Sequence, residues 1–248
     1  MEIEQIINEL RFNSGRFPAE ALKKAAANES AIKPFLLDAL DEVLSKPYIA
    51  IGNEDYMLYL YAIYLLAQFR EKQAFLKIIE LVSLPPDDVE WLFGDIITES
   101  LPSLLYSTFN GDLSLLQKTV ENQSILLTVQ GACLDTLGKL YSDGVISREF
   151  LVQYLREIIA KRAGDPNTDP FFFTYIQGVV AERDLKEMVP AIKKLYEENL
   201  IDPIYFGDFA EYQHSVGQGD SGEVRYIEDI AAEIGWWACF RESNIKSK

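Results

Sequence analysis

The chain has 248 residues, of which 48% are hydrophobic and 25% charged, and this balance is typical of a folded globular protein rather than a disordered one. Its formal net charge of −16 would repel the phosphates of nucleic acids and the anionic headgroups of a membrane, so neither is an expected partner. One histidine and two cysteines are too few for a disulfide framework or a cysteine-rich zinc site. We therefore expect no metal and no cofactor.

The start of the chain and its most apolar stretch both bear on localisation. The first four residues include two glutamates and lack the basic and apolar regions of a secretory signal peptide. The most apolar stretch, residues 56–67, is too short to span a bilayer. We expect a cytoplasmic protein that is not attached to a membrane.

Helical patterns fill the sequence, whereas strand patterns are almost missing. Residues 31–44 repeat apolar side chains one helical turn apart, which gives one broad apolar face. Asn53 is positioned to cap a helix over residues 56–67. Because that helix is apolar all round, we expect it to be packed on several sides.

Further along the chain, three polar residues are predicted to start helices, because their side-chain oxygens can accept hydrogen bonds from the first helical turn. They are Asp112, Ser124 and Ser147. Pro102 and Pro190 fall inside helical patterns and are predicted to kink or divide them, since proline lacks the backbone N–H group.

Four similar turns interrupt the helices and predict the architecture. They are residues 69–72, 109–112, 141–144 and 179–182, and their first residues are 40, 32 and 38 positions apart. These spacings lie within or near the unit lengths of helical repeats. We predict an all-α fold, an α-solenoid or α-α superhelix of about ten helices in HEAT- or armadillo-like pairs, forming a single domain over residues 1–248. A short irregular loop at about 207–222 and a terminal helix at about 223–240 complete it.

Few side chains offer catalytic chemistry. The single histidine, His214, lies beside a glycine-rich segment and is predicted to be an exposed residue rather than a catalytic base. Cys133 lies in an apolar helical stretch, so we interpret it as a buried structural thiol. No glycine-rich phosphate-binding loop occurs in the sequence. The sequence therefore predicts no catalytic residue.

Carboxylates are the remaining candidates. Asp95 and Glu99 are four residues apart, as are Asp229 and Glu233, so each pair shares one helix face. Such pairs act as acid and base when burial separates their pKa values, and helices of an acidic protein also place them on solvated faces.

The acidic residues are concentrated in two regions. Residues 86–122 hold seven acids against one lysine, and residues 201–235 hold eight acids against one arginine. Two interpretations stay open, a solvated surface and an acidic groove for a basic partner segment. The candidate protein-binding residues are Asp87, Asp88, Asp95, Glu99 and Trp236.

Two adjacent tryptophans, Trp236 and Trp237, precede the end of the chain. Neighbouring residues on a helix point about 100° apart, so only one of the two rings can readily face the core. Either both rings close the end of the helical stack, or one is exposed as an interface residue.

Several short motifs together resemble a bacterial family of uncharacterised proteins, defined by a domain of unknown function with HEAT-like helices. They are Gly94-Asp95 with Leu101-Pro102, the turn 109–112, the segment Gly144–Glu149 and the segment Tyr226–Phe240. The resemblance covers about residues 18–240 and implies a helical fold without an assigned activity. Some members of that family carry a C-terminal SEC-C zinc module, whose cysteines this sequence lacks, so zinc is not implied here.

The sequence is compatible with two alternative functions of different classes. The first is a non-enzymatic protein-interaction scaffold or adaptor whose acidic surface binds a protein or peptide with a basic segment. The alternative is a hydrolase-like enzyme that uses a carboxylate pair in a helical cavity. A helical repeat that binds DNA lesions would need a basic concave face, which the net charge of −16 disfavours.

Overall fold

The computed structural model describes residues 2–219 and 224–240, and over these ranges the protein is all-helical. The helices are α1 (Ile3–Leu10), α2 (Ala19–Ala27), α3 (Glu29–Ser45), α4 (Leu58–Gln68), α5 (Gln73–Leu81), α6 (Pro86–Phe93), α7 (Ile96–Glu99), α8 (Leu101–Thr108), α9 (Leu113–Glu121), α10 (Leu127–Ser142), α11 (Arg148–Ala163), α12 (Phe171–Glu182), α13 (Val189–Glu197), α14 (Phe209–Ser215) and α15 (Ile230–Ile234). Short 3-10 turns occupy Pro47–Ile49, Lys186–Met188 and Ala238–Phe240. The prediction of an all-α fold is confirmed. None of the helices in the described ranges combines the length and apolar character needed to cross a membrane.

The chain folds into two compact units, each assembled from separated segments. The first unit comprises Met1–Gly94, Ser107–Gly111 and Tyr226–Lys248. The second unit comprises Asp95–Tyr106 and Asp112–Arg225. The chain therefore passes between the units several times.

Helix α4 forms the centre of the first unit. All ten residues from Leu58 to Ala67 are buried, as predicted for a helix without a polar face. The prediction that Asn53 caps this helix is wrong. Tyr56 forms an extended bridge with Phe12, and the helix begins only at Leu58 because this extended backbone precedes it.

Helix α10 forms the centre of the second unit, where it packs against α9 and α12. Two glycines allow the close approach to α12: a Cβ atom added at Gly131 would clash with the ring of Tyr175, and one added at Gly138 would lie 3.1 Å from Nε of Arg183. The helix begins at Leu127 rather than at the predicted Ser124.

The predicted caps differ in outcome for a local reason. Both the backbone N–H and the hydroxyl of Ser124 donate to Oδ1 of Asn122, at 3.0 and 2.6 Å, so this serine belongs to a turn before the helix. Ser147 caps α11 as predicted, because its Oγ accepts from the N–H of Phe150 at 3.2 Å. Asp112 likewise accepts from the N–H of Ser114 and starts α9.

Four helices in the described ranges end in the same kind of cap. A left-handed residue follows four of the helices, namely Arg70 (φ 56°), Gly144 (φ 71°), Asp184 (φ 50°) and Asn199 (φ 55°). The next residue donates its N–H to the carbonyl five positions earlier, in the pairs Glu71–Leu66, Val145–Leu140, Leu185–Val180 and Leu200–Leu195 at 2.9 to 3.0 Å. This is the Schellman pattern, which satisfies carbonyls left free at a helix end.

Two of the four predicted turns are placed correctly. Residues 69–72 and 109–112 lie between helices, as predicted. The predicted turns at 141–144 and 179–182 begin too early, because α10 continues to Ser142 and α12 continues to Glu182. In both cases the left-handed residue marks where the helix stops.

Both prolines divide the helical patterns, as predicted. Pro102 occupies the second position of α8, and Ser100 separates that helix from α7. Pro190 occupies the second position of α13, directly after a 3-10 turn. A first-turn N–H has no partner within its own helix, so proline is tolerated there.

The predicted terminal helix over about 223–240 is mostly wrong. Residues 224–229 are not helical, and only the five residues of α15 and a final 3-10 turn follow them. Side chains hold this backbone instead: the N–H of Ile227 donates to Oγ of Ser107 at 2.9 Å, and the N–H of Ile230 donates to Oε1 of Gln68 at 2.9 Å. Of the predicted irregular loop at 207–222, residues 209–215 form α14, and residues 220–222 lie outside the described ranges, as does residue 223.

Candidate functional site

Three carboxylates line a small cavity in the second unit. They are Glu99 at the end of α7, Asp135 in the middle of α10 and Glu182 at the end of α12. The remaining lining residues are Thr98, Pro102, Ser103 and Val224. The cavity volume is about 70 Å³, enough for several water molecules or a small polar group.

Helix packing explains how these carboxylates come together. Asp135 lies four residues after Gly131 and three before Gly138, so it shares the α10 face that contacts α12 through these glycines. Glu182 is the last residue of α12, and its Oε2 lies 3.5 Å from Nη2 of the buried Arg183. The cavity therefore combines carboxylates with one neighbouring buried cation.

The predicted pair Asp95 and Glu99 is split by this arrangement. Asp95 precedes α7 and is exposed, without a capping hydrogen bond from its side chain. Glu99 is exposed as well, and it is the member of the pair that lines the cavity. Sequence reasoning missed Asp135 and Glu182, because spacing within one helix does not reveal carboxylates contributed by separate helices.

The second predicted pair has a structural role. Asp229 caps α15, where its Oδ1 accepts from the N–H of Ala231 at 3.0 Å. The side chain of Asp229 is exposed, and that of Glu233 is half-buried. A capping carboxylate on the surface and a half-buried neighbour do not form the enclosed site that acid–base catalysis needs.

The other predicted binding residues lie in the first unit. Asp87 and Asp88 occupy the first turn of α6, where a negative charge complements the helix dipole. Trp236 is 53% exposed. Trp237 packs edge-on against Tyr64 with ring centroids 6.0 Å apart, so one ring of the two is packed and the other exposed, although neither residue lies in a helix.

The histidine and the cysteine behave as predicted. His214 lies in the last turn of α14 and is exposed. Cys133 is buried, and desolvation strongly raises the pKa of its thiol, which opposes formation of the reactive thiolate. Among the described residues, no group of three or more histidine, cysteine or carboxylate side chains is arranged to hold a metal ion.

An exposed aromatic patch, also in the second unit, was not predicted. We define it by Phe171, Tyr175, Ile204 and Tyr205. The ring of Phe171 contacts those of Tyr175 and Tyr205 edge-on, with centroids 5.6 and 5.1 Å apart. The apolar residues 204–206, which interrupt a polar segment, were the sequence signal that could have indicated this patch. The rings that they meet, Phe171 and Tyr175 on α12, are distant in the sequence.

The patch adjoins the carboxylates of the cavity through Asp135. The pKa of the Tyr175 phenol is raised to about 12. Burial is the largest cause of this rise, and the negative charge of Asp135 is the second. The side chain of Tyr175 therefore lies within electrostatic reach of Asp135, which itself lines the cavity.

The fold and this acidic site define an all-helical protein without a recognisable catalytic constellation in its described residues. The sequence matches the family described as "Protein of unknown function (DUF1186)" over residues 1–241, and the chain belongs to that family. This membership confirms the resemblance seen in the sequence motifs.

Two chlamydial relatives extend this comparison. The chain is 32% identical over 202 residues to an uncharacterised protein of Chlamydia trachomatis serovar D, covering 82% of this chain and 79% of the relative. It is also 32% identical over 202 residues to an uncharacterised protein of Chlamydia muridarum, covering 82% of this chain and 80% of the relative. No solved structure matches the chain.

Proposed function

We propose that the protein is a non-enzymatic interaction scaffold or adaptor of the cytoplasm that binds a basic segment of another protein through acidic side chains. One observation carries this proposal. The four predicted acidic residues form no ion pair within the described ranges, whereas many other acids do. These four are Asp87, Asp88, Asp95 and Glu99. Unpaired surface carboxylates attract a basic segment without first breaking internal ion pairs.

The helical caps support a repeat architecture as part of this proposal. The Schellman pattern recurs at Arg70, Gly144, Asp184 and Asn199, and the 40 residues between Gly144 and Asp184 match the length of a helical-repeat unit. In the proposed form, the chain is a single domain of HEAT-like helix pairs. Such helical repeats commonly bind partners over an extended surface rather than in a deep pocket.

A charge-neutralising variant tests the proposed function. Pull-downs at 50 and 250 mM salt should recover a partner with a basic segment, and its binding should weaken at the higher salt. The variant D87N/D88N/D95N/E99Q should lose most of this binding. A control with the same net charge, E9Q/E20Q/D38N/E80Q, neutralises four other exposed carboxylates and should retain it.

Two outcomes overturn the proposal. The first is recovery of partners that are uncharged or whose binding is indifferent to salt. The second is an equal loss of binding in the two variants, because net charge rather than the four named carboxylates would then govern association.

The hydrolase-like alternative has one observation in its favour, the half-buried state of Asp135 and Glu182 beside Glu99 in the cavity. The cavity has a volume of about 70 Å³ and admits little more than a few water molecules in this conformation. A screen with small ester, amide and phosphate substrates tests this alternative. Turnover by the wild type that Asp135→Asn abolishes would favour it over the scaffold.

A further inference from the structure

We infer that the aromatic patch of Phe171, Tyr175, Ile204 and Tyr205 is the docking surface for an arginine or lysine side chain of the basic partner segment. This inference rests on the proposed function, because it names a contact for one cationic side chain of the basic partner segment. It requires that the patch be accessible, that its backbone be held in place and that negative charge lie close to it.

The patch is accessible. Ile204 is 76% exposed and Tyr205 is 66% exposed, and these two large apolar residues are neighbours in sequence. Phe171 and Tyr175 are partly exposed beside them. Single exposed apolar residues are common on protein surfaces, but a contiguous aromatic group marks an interaction site.

The patch is also fixed in shape by hydrogen bonds and by packing. The N–H of Phe171 donates to Oδ1 of Asp169 at 2.9 Å, and the N–H of Ile204 donates to Oδ1 of Asp202 at 3.0 Å. The ring of Tyr175 lies against Gly131, where a side chain would leave it no room. The backbone of the patch and the ring of Tyr175 are therefore held in place before a partner binds.

Carboxylates adjoin the patch. Asp169 and Asp202 accept hydrogen bonds from the backbone N–H groups of Phe171 and Ile204, so both acids belong to the segments that build the patch. A cationic side chain that approaches these rings therefore meets negative charge close to them.

The carboxylates act on the rings themselves. Burial is the largest cause of the raised pKa of Tyr175, and electrostatic interactions with Asp135, Tyr205 and Asp169 add to it. Two carboxylates, those of Asp135 and Asp169, therefore lie within electrostatic reach of this phenol. Aromatic faces attract cations through their quadrupoles, and nearby carboxylates reinforce that attraction. The combination favours a cationic side chain over a purely apolar one.

Cation–π contacts between an arginine and an aromatic ring already occur within the protein. The guanidinium of Arg162 lies 4.6 Å from the ring centroid of Phe172, the neighbour of Phe171 on α12. In the first unit, the guanidinium of Arg70 lies 3.8 Å from the ring centroid of Tyr226. A partner arginine on Tyr205 would repeat the same geometry between molecules.

A labelled peptide of alternating glycine and arginine is the probe for the test. Fluorescence anisotropy at 50 mM salt should show binding to the wild type. Tyr205→Ala should weaken that binding about fivefold, the size expected from loss of one cation–π contact at an exposed site. Tyr205→Phe keeps the ring and should bind like the wild type.

Matched controls separate the patch from general charge effects. Tyr48→Ala removes a tyrosine that is 72% exposed in the first unit and should leave the affinity unchanged. A peptide with citrulline in place of arginine keeps the shape but not the charge, and it should bind at least tenfold more weakly, because a neutral side chain loses both the cation–π contact and the attraction of the acids.

The outcomes distinguish this inference from the proposed function. If the wild type does not bind the arginine peptide at 50 mM salt, the docking inference fails, whereas the pull-downs with the native partner decide the proposed function. If the wild type binds it and Tyr205→Ala binds equally well, only the docking inference fails. Equal binding of the citrulline peptide would also overturn the inference, because the patch would then be a site for neutral groups.

Discussion

The guanidinium of Arg70 lies 3.8 Å from the ring centroid of Tyr226 and ties the last described segment to the turn after α4. Its Nη1 donates to the carbonyl of Ile227 at 2.9 Å and to Oγ of Ser107 at 3.3 Å, while Nη2 pairs with Glu228 at 2.8 Å. Arg70 makes these contacts from a left-handed backbone with φ 56°, which L-residues rarely adopt. The contacts offset that local strain.

Replacing Arg70 with alanine should therefore destabilise the protein by about 2 kcal/mol, through lost charge-assisted hydrogen bonds and a lost cation–π contact. Arg70→Gly loses the same contacts but relieves the left-handed strain, so it should be the milder variant by about 1 kcal/mol. Urea unfolding measures both free energies. An alanine variant whose free energy of unfolding lies within about 0.5 kcal/mol of the wild type would show that the contacts of Arg70 contribute little to stability.

Gly131→Ala and Gly178→Ala should have opposite effects on stability. A methyl group at Gly131 meets the Tyr175 ring, so we expect a loss of about 1–3 kcal/mol. Gly178 lies within α12 with open space around it, so alanine there should stabilise the helix by about 0.5–1 kcal/mol. Thermal unfolding compares the two. A stable Gly131→Ala variant would contradict the close packing of α10 on α12.

Glu187 should make stability depend on pH. Its carboxylate receives two hydrogen bonds from Arg148, both 2.7 Å long, and these bonds hold the pKa of Glu187 below its ordinary value of 4.5. Because the folded-state pKa is lowered, the stabilisation is present above the unfolded-state pKa and is lost as the pH falls through the folded-state value.

Glu187→Gln should therefore cost about 0.5–1 kcal/mol at pH 7 and almost nothing at pH 3, a modest amount because both side chains are 36% exposed. Chemical unfolding at the two pH values measures the difference. Asp38→Asn changes an exposed carboxylate outside any ion pair of the described residues and should have little effect at either pH. A Glu187→Gln cost that persists unchanged at pH 3 would contradict the assigned ion pair.

The two cysteines should differ in reactivity. Burial strongly raises the thiol pKa of Cys133, whereas Cys239 is exposed and desolvation raises its thiol pKa without enclosing it. A thiol reagent at pH 8 should modify Cys239 in the native protein and reach Cys133 only after unfolding. Mass spectrometry of the modified peptides identifies the site. Rapid modification of Cys133 under native conditions would mean that α10 opens easily.

Local signals explain the parts of the fold that the sequence predicted. The caps at Asp112 and Ser147 act on a backbone N–H two or three residues away, so the pattern is visible within one short segment. Asn53 carries the same signal and does not cap α4, because Tyr56 pairs with the distant Phe12. A non-local contact there overrides the local preference.

The site was less predictable for the same reason. Glu99 was identified from its spacing, but Asp135 and Glu182 reach the cavity from other helices. The aromatic patch joins Phe171 to Tyr205, which are 34 residues apart in the chain. No periodicity within one helix reports such a contact.

The measurement that most directly tests the central claim is the salt dependence of binding to the native partner. The partner is first isolated with the wild-type protein and identified by mass spectrometry, and its affinity is then measured from 50 to 250 mM salt. We expect a basic segment at the contact and a loss of about tenfold in affinity over this range, with the D87N/D88N/D95N/E99Q variant already weak at 50 mM. An affinity that does not change with salt, or a partner contact made by an acidic or uncharged segment, would contradict the acidic-surface account.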